Sequence, residues 1–556
     1  MKISHQIALT ILMFAVTGEL SAQGDSTRRP DSVHHIFIAS RLNAIEFYSR
    51  PAVEPFFSRW RSDTIQQITI AHFGDSHIQP GIFSGEMRSF MQGEKGYGGF
   101  GMMFPYSAAR TYSPAQYKSV HYGRWLFAKG LEPNPKLPLG VSGMTIRTYD
   151  SAAGFSMTFK EPPPPHYKKV KLYFKGGPTS YDVRLLGSTF EVVMPASKKP
   201  EDVPFLELLL PDSSSTLHIQ MLKTEKHQTQ FEFYGLSLES ETGQGLIYHS
   251  LGVGGAAYGS LLAEVLGDEQ LPTLAPHLVI IDFGTNDFLY EGAIAASLQR
   301  QIVQTIRWVR QLVPGVTILL TSTQDMYRRG ANIAAAKQFS FLMRRIARME
   351  GCAFYDWYRI SGGQYSMKNW VGERLARADH IHLTAAGYEL KGKLLAAAFS
   401  QTMNAYFSEP GIDSLVLYSP AEDSVKGDSL FRVAPEPRVT KIRHQIRSGE
   451  SLSTIADKYG VRVADIMRVN KLSSSTIIAG NYLTIEYNPN KPVAQTKPRV
   501  VAPQPSADVI RYKVQSGDTL GQIAEKYHVS VKSIKRLNNM KSSRIVEGKT
   551  LLIPKA

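Results

Sequence analysis

Four short runs of the chain are apolar without alternation: "QQITIAHF", "HLVIIDF", "VTILLTS" and "CAFYDWY". A strand with no polar face has to be covered on both sides, as in a parallel sheet clad with helices. The intervals between these runs carry the helical period. "SLQRQIVQTIRWVRQLV" and "NIAAAKQFSFLMRRIARM" repeat their apolar residues three and four apart, and "TAAGYELKGKLLAAAFSQTMNAYF" closes the block as a further amphipathic helix. Strands alternating with helices predict an α/β fold with a parallel sheet. In such folds a site forms in the loops at the carboxyl ends of the strands.

The period changes over residues 103–243. "YKKVKLYF", "YDVRLLG", "TFEVVMP", "FLELLLP", "TLHIQML" and "TQFEFYGLSL" are short strands parted by turn residues, with few helical stretches. They predict an all-β sandwich inserted into the α/β domain, whose two parts are then residues 23–102 and 244–407. The insert follows "GEKGYGGFG", read as a flexible glycine-rich loop because no Lys-Ser/Thr follows to make it a phosphate loop.

A third pattern fills the C-terminal region. "HQIRSGESLSTIADKYGVRVADIMRVNKLSSSTIIAGNYLTI" aligns without gaps to "YKVQSGDTLGQIAEKYHVSVKSIKRLNNMKSSRIVEGKTLLI", matching Tyr459 to Tyr527 and Asn470 to Asn538. Each copy predicts a strand, two short helices and a closing strand. The copies span 441–487 and 511–556. Residues 408–440 are a linker, and 488–510, with its prolines and small polar residues, is an extended one.

Composition changes the picture mainly at the two ends. A chain of 556 residues with 43% hydrophobic and 20% charged residues describes globular material in two to four domains. Its start, "MKISHQIALTILMFAVTGELSAQG", is basic, then apolar, then small, which reads as a signal peptide over residues 1–22. An exported protein follows, periplasmic or extracellular, with no membrane span after cleavage. The lone Cys352 cannot form an internal disulfide and reads as a buried structural thiol. Net charge is +15, and from Lys441 onward about twenty Lys and Arg face about eight Asp and Glu. Export directs that basicity away from nucleic acid and toward an anionic envelope polymer.

The chemistry-bearing residues sit where strands end. "FGDSHIQPG" presents Ser76 just past the first strand, and "LGVGGAAYGS" offers Gly255, whose backbone N–H no side chain obstructs. "VIIDFGTNDF" ends on Asn286, an amide donor. "RADHIHLTAAGY" sets His382 three residues after Asp379, a spacing that lets a tight turn place the carboxylate against one imidazole nitrogen. The other nitrogen is left to face Ser76, the order of groups in serine hydrolases.

These four blocks, in this order, resemble the SGNH (GDSL-like) hydrolase family. The resemblance implies a catalytic triad of Ser76, His382 and Asp379, and an oxyanion hole of the Ser76 and Gly255 N–H groups and the Asn286 side chain. Gly254 stands where the family commonly has asparagine and is the lesser donor. No G-x-S-x-G elbow occurs, which argues against an α/β-hydrolase lipase. Asp75 and His77 are expected to hold the nucleophile loop and Asp287 to buttress Asn286. Trp357 and Trp370 read equally as lining of a sugar cleft and as core. With one cysteine and no H-E-x-x-H, neither a metal nor a cofactor is expected.

The repeated copies resemble LysM modules, which bind glycans containing N-acetylglucosamine, such as peptidoglycan. That resemblance implies contacts from Gly449, Glu450, Ser451 and Leu452 with Ile477, Ile478, Ala479 and Gly480 in the first copy. In the second they are Gly517, Asp518, Thr519 and Leu520 with Ile545, Val546, Glu547 and Gly548. The whole layout resembles secreted peptidoglycan O-acetylesterases of the SGNH family, whose insert resembles a carbohydrate-binding module. The expected activity is removal of O-acetyl groups from peptidoglycan. The alternatives are acetyl transfer, deacetylation of another envelope or dietary polysaccharide, and a non-enzymatic wall-binding role.

Overall fold

The computed structural model describes residues 35–62, 67–132, 134–200, 203–290, 292–409 and 412–417. It also describes 440–487, apart from 448, 460, 462, 471 and 473–475, and 509–554, apart from 516, 539, 541–544 and 546. The expected signal peptide and most of both linkers lie outside the described residues. The chain forms two compact units, one within 1–432 and one within 433–556.

In the first unit six strands run parallel, in the order Tyr97–Met103, Gly245–Gly252, Gln67–Gly74, Leu278–Asp282, Thr317–Thr321 and Ala353–Tyr355. Successive side chains leave on opposite faces, and both faces are dry. Ala71, Phe73, Val279, Ile281, Ile318 and Leu320 pack with the helices Leu298–Leu312 and Ala335–Glu350. Ile68, Ile70, Leu278, Ile280 and Leu319 pack with Ile82–Lys95 and Ala385–Ser408. This is why the sequence showed unbroken apolar runs.

Two of the six strands escaped the pattern. The glycine-rich run expected to be a flexible loop is the strand Tyr97–Met103. Its glycines answer to crowding: a Cβ on Gly98 would lie 2.5 Å from the Gly245 carbonyl carbon, and one on Gly101 2.6 Å from the Tyr248 oxygen. Gly101 also has φ +86°, where a side chain is strained. The other strand, Gly245–Gly252, carries His249 and Ser250 among its apolar residues, and these interrupt the apolar run.

The all-β insert shares a sheet with the α/β domain. Phe231–Ser240 pairs antiparallel to Tyr97–Met103, and Tyr167–Phe174 and Phe205–Leu209 extend the sheet outward. A second sheet, Tyr117–Tyr122, Gly154–Phe159, Thr216–Leu222, Asp182–Leu186 and Glu191–Met194, completes the sandwich. Phe155, Ile219 and Phe233 from the sandwich join the same buried cluster as Phe73 and Ile281 from the parallel sheet. The main core of the insert is therefore continuous with that of the α/β domain, beside a small cluster of Ala128, Leu137 and Leu139.

In the second unit each repeat copy has the expected order. Thr440–Gln445 pairs antiparallel with Tyr482–Tyr487 around the helices Leu452–Tyr459 and Val463–Val469. Val509–Lys513 pairs with Thr550–Pro554 around Leu520–Lys526 and Val531–Leu537. The repeated asparagines have one job in both: Asn470 and Asn538 each bond the closing strand through both ends of the amide, at Thr484 and at Leu552.

Candidate active site

Gly74, Gly252 and Asp282 lie in register across three adjacent parallel strands, so three loops leave the sheet side by side. The first bends at once. A Cβ on Gly74 would lie 2.2 Å from Ile78 Cγ1 and 2.8 Å from the Asp282 oxygen, so only glycine permits the turn. Asp75 then holds the loop. Its carbonyl accepts from the N–H groups of Ile78 and Gln79, and its Oδ1 accepts from His77 N–H at 2.8 Å.

Ser76 rides on this turn. Its Oγ lies 2.9 Å from His382 Nε2, and His382 Nδ1 lies 2.8 Å from Asp379 Oδ2. The turn 379–382 closes as its spacing suggested, because Asp379 Oδ1 also accepts from the N–H groups of Ile381 and His382, each at 2.9 Å. Burial would raise the Asp379 carboxyl, but these hydrogen bonds and the imidazole outweigh it and hold the pKa below the ordinary value. The side chains of His382 and Asp379 are 31% and 41% exposed, so water reaches the pair.

Around the nucleophile the N–H groups divide into used and free. Val253 donates to the Gly74 carbonyl, Gly254 to Gln79 Oε1 and Ala256 to the Val253 carbonyl. Among the described residues nothing accepts from Ser76 or Gly255 N–H. Gly254, the lesser donor of the sequence reading, is thus occupied, while Gly255 sits free at φ +86°. Asn286 Nδ2 donates to the Ala256 carbonyl at 2.9 Å and, more weakly, to Asp75 Oδ2 at 3.3 Å. These contacts tie all three loops together.

The structure corrects one expectation nearby and decides one left open. Asp287 does not buttress Asn286; its carboxylate accepts from Tyr258 N–H and so anchors the loop that follows Gly255. Trp357 and Trp370 belong to the core, their rings buried and their indole N–H groups bonded to Gln324 Oε1 and the Ser361 carbonyl. His380 turns away from Ser76, to the Ala378 carbonyl and the Tyr327 ring. Cys352 is buried, which pushes its thiol up to about 12.

Beneath the loops lie His77, which the sequence reading gave to the nucleophile loop, and groups that it passed over. His77 stacks on His382 with ring centroids 5.3 Å apart. Gln324 Nε2 donates to His77 Nε2, so the His77 proton sits on Nδ1 and is donated to Tyr388 Oη at 2.9 Å. Burial, then the nearby charges of Lys391 and His382, push its pKa well down, so His77 stays neutral beside the reacting imidazole. Lys391 Nζ meets Asp282 Oδ2 at 3.0 Å, both buried, with His72 alongside. Burial opposes ionisation of Asp282, yet Lys391 and His72 outweigh it and hold the carboxyl far below its ordinary range. Tyr388, Lys391 and Leu395 recur at helical spacing on one buried stripe, the one signal in the sequence that pointed to them. Among the described residues no His, Cys, Asp and Glu group is placed to hold a metal ion, and no helix is long and apolar enough to cross a membrane.

In the repeat copies the turn residues are partly committed to structure. Leu452 and Leu520 are buried, so a glycan contact there falls to the main chain. Ser451 Oγ accepts from Thr454 N–H and Thr519 Oγ1 from Gln522 N–H, each at the start of a helix. Ile478, Ala479, Gly480, Glu547 and Gly548 are exposed, Gly449 and Gly517 take positive φ, and Val546 lies outside the described residues.

Residues 227–390 match the family model of the GDSL-like lipase/acylhydrolase family, a span that holds Gly255, Asn286, Asp379 and His382 and begins after Ser76 and most of the insert. Residues 444–486 and 512–554 each match the LysM domain. The chain is 31% identical over 116 residues to an autolysin of Enterococcus faecalis, covering 21% of this chain and 16% of that one. It is 33% identical over 108 residues to the cell wall-binding protein YocH of Bacillus subtilis, covering 19% and 32%. The chain spans less than half the length of either relative. A solved peptidoglycan O-acetylesterase is similar over 65% of this chain and 99% of that one, at 19% identity and a TM-score of 0.52, a likeness of fold.

Proposed function

Because the chain carries a GDSL-like lipase/acylhydrolase domain followed by two LysM domains, we propose that it is an exported serine esterase that removes O-acetyl groups from peptidoglycan. The observation that carries this reading is the contact series from Ser76 Oγ through His382 to Asp379, beside two unclaimed backbone N–H groups. His382 Nε2 takes the Ser76 proton as Oγ attacks the acetyl carbonyl. Asp379 fixes the proton on His382 Nδ1 and stabilises the imidazolium. The oxyanion forms against the N–H groups of Ser76 and Gly255. Asn286 joins them by exchanging its long bond to Asp75 for the substrate oxygen.

The tetrahedral intermediate then breaks its bond to the sugar oxygen, which leaves with the proton from His382. Water, deprotonated by the same nitrogen, attacks the acetyl-serine, and the Ser76 oxygen leaves with that proton as acetate is released. The part-exposed imidazole favours hydrolysis over acetyl transfer, since water reaches the base that would activate it. The LysM domains are proposed to hold the esterase on the polymer, raising its local concentration there. Acetate release from O-acetylated peptidoglycan, compared with acetylated xylan and an aryl acetate, tests the assignment. Ser76→Ala is expected to lower release by about 10⁴-fold or more. Equal release by both proteins removes Ser76 from the reaction, and faster release from xylan removes peptidoglycan as the substrate.

A further inference from the structure

We propose that Gln79 is the positioning residue for the Gly255 oxyanion donor, and that it holds this donor in place by clamping the loop to the insert. The inference rests on the esterase reading above. Gln79 lies three residues after Ser76 and is 2% exposed. Its amide orientation is fixed by its partners, since Gly254 N–H only donates and the Tyr112 carbonyl only accepts. Oε1 therefore accepts from Gly254 N–H at 2.6 Å, and Nε2 donates to the Tyr112 carbonyl at 2.8 Å and to Thr111 Oγ1 at 3.0 Å.

This places one buried amide among three segments: the nucleophile loop, the loop 253–256, and the start of the insert. Pinning Gly254 N–H has a consequence for its neighbour. With the N–H groups of Val253 and Ala256 also taken, at the Gly74 and Val253 carbonyls, Gly255 is left as the free donor of that loop. Its direction follows from the bonds on either side. The insert supports the same loop from outside, with Leu131 about one van der Waals contact from Gly255, its nearest atom 3.5 Å from where a Cβ would stand. It is also stitched to the nucleophile loop by Ala115 N–H to the Pro80 carbonyl at 2.7 Å and Gln116 Nε2 to the Gly81 carbonyl at 2.5 Å. The sandwich is thus part of the oxyanion hole's support, whatever else it binds.

The test uses the full chain and an aryl acetate. Gln79→Met keeps the length and loses all three bonds, and Gln79→Glu keeps an acceptor for Gly254 while losing the donors to the insert. Gln79→Met is expected to lower kcat by about ten- to hundredfold with KM within about twofold. Affinity for a boronic acid that forms a tetrahedral adduct on Ser76 should fall in step, a readout that simple loss of stability does not move. Gln79→Glu should recover part of kcat. Thr111→Val, which leaves the Tyr112 acceptor in place, covers the case in which Gln79→Met does not fold, and should lower kcat by about two- to fivefold at unchanged KM. Wild-type kcat and boronate affinity in Gln79→Met, or in Thr111→Val where Gln79→Met does not fold, overturn the proposal while Ser76→Ala remains inactive. Full activity of Ser76→Ala would overturn the esterase reading instead.

Discussion

The crevice and the LysM turns solve the same problem, fixing polar groups in place, in opposite ways. In the crevice the partners come from far along the chain: Ser76 and His382 are 306 positions apart, Asn286 and Asp75 211, Lys391 and Asp282 109. In the LysM turns they come from three to six positions away. Glu450 accepts from Arg447 N–H and meets His444, and Asp518 accepts from Gln515 N–H and Tyr512 Oη. A long-range site depends on the sheet that assembles it, whereas a local turn carries its own instructions. Damage to the first should therefore be large and damage to the second small and confined.

The largest stability effect is expected at the buried pair below the crevice. Lys391→Met leaves Asp282 without its cation in a dry site, and loss of one partner of such a pair costs about 3–5 kcal/mol. All five tryptophans, Trp60, Trp125, Trp308, Trp357 and Trp370, lie in the first unit, so their fluorescence follows its unfolding in denaturant apart from the LysM domains. A variant as stable as wild type would mean that Asp282 is not an uncompensated charge there.

Next comes Asn286→Ala. Its amide bridges the Ala256 carbonyl and Asp75 and is the side-chain donor of the proposed oxyanion hole. Loss of one such donor costs about 3–4 kcal/mol in the barrier, so kcat should fall by about a hundredfold or more with the fold retained. Near-normal turnover in a folded variant removes Asn286 from the reaction.

The same division decides what the sequence disclosed. Asp379 and His382 were legible as a unit because a three-residue turn brings them together, and the repeat copies were legible because their bonds are local and occur twice. Ser76, Gly255 and Asn286 were marked by their places at strand ends, but joined into one site only through the likeness of their blocks to a family, since nothing near each of them specifies the others. No likeness singled out Gln79, although it lies in the stretch that presents Ser76, or Lys391. One is a polar residue in a loop and the other a lysine in an amphipathic helix, and both types are ordinarily solvated. Their partners could be known only once the sheet had set Gly74, Gly252 and Asp282 side by side. The glycine-rich strand was missed for a related reason: its constraint is the backbone of neighbouring strands, which leaves no mark on its own periodicity.

A smaller effect, visible only as pH changes, is expected at Asp75. Burial pushes its carboxyl up from 3.8 to about 7, against the lowering effect of the His77 N–H. Because the folded value lies above the unfolded one, the stabilising contribution of the proton is complete below about pH 4 and is lost as pH rises through about 7. Asp75→Asn stays neutral throughout. The stability of wild type relative to this variant should therefore decline from pH 4 to pH 8. Parallel stability curves would show that Asp75 titrates alike folded and unfolded.

The smallest effects belong to the LysM turns. The Arg447 N–H, with His444, lowers the pKa of Glu450, and the Gln515 N–H, with the Tyr512 hydroxyl, lowers that of Asp518. Both groups have folded values below the unfolded ones, so their contributions are present above the ordinary carboxylate range and are lost as pH falls through the folded values. Both side chains are part-exposed, so the loss is small. Glu450→Ala should speed hydrogen exchange at the Arg447 amide and leave the Gln515 amide untouched, and Asp518→Ala should do the reverse. Neither should alter kcat on an aryl acetate, because the described bonds of Glu450 and Asp518 are made with residues three and six positions away. Faster exchange in the strands Gln67–Gly74 or Leu278–Asp282 after either substitution would erase the distinction, since it would make a local turn a support of the long-range site.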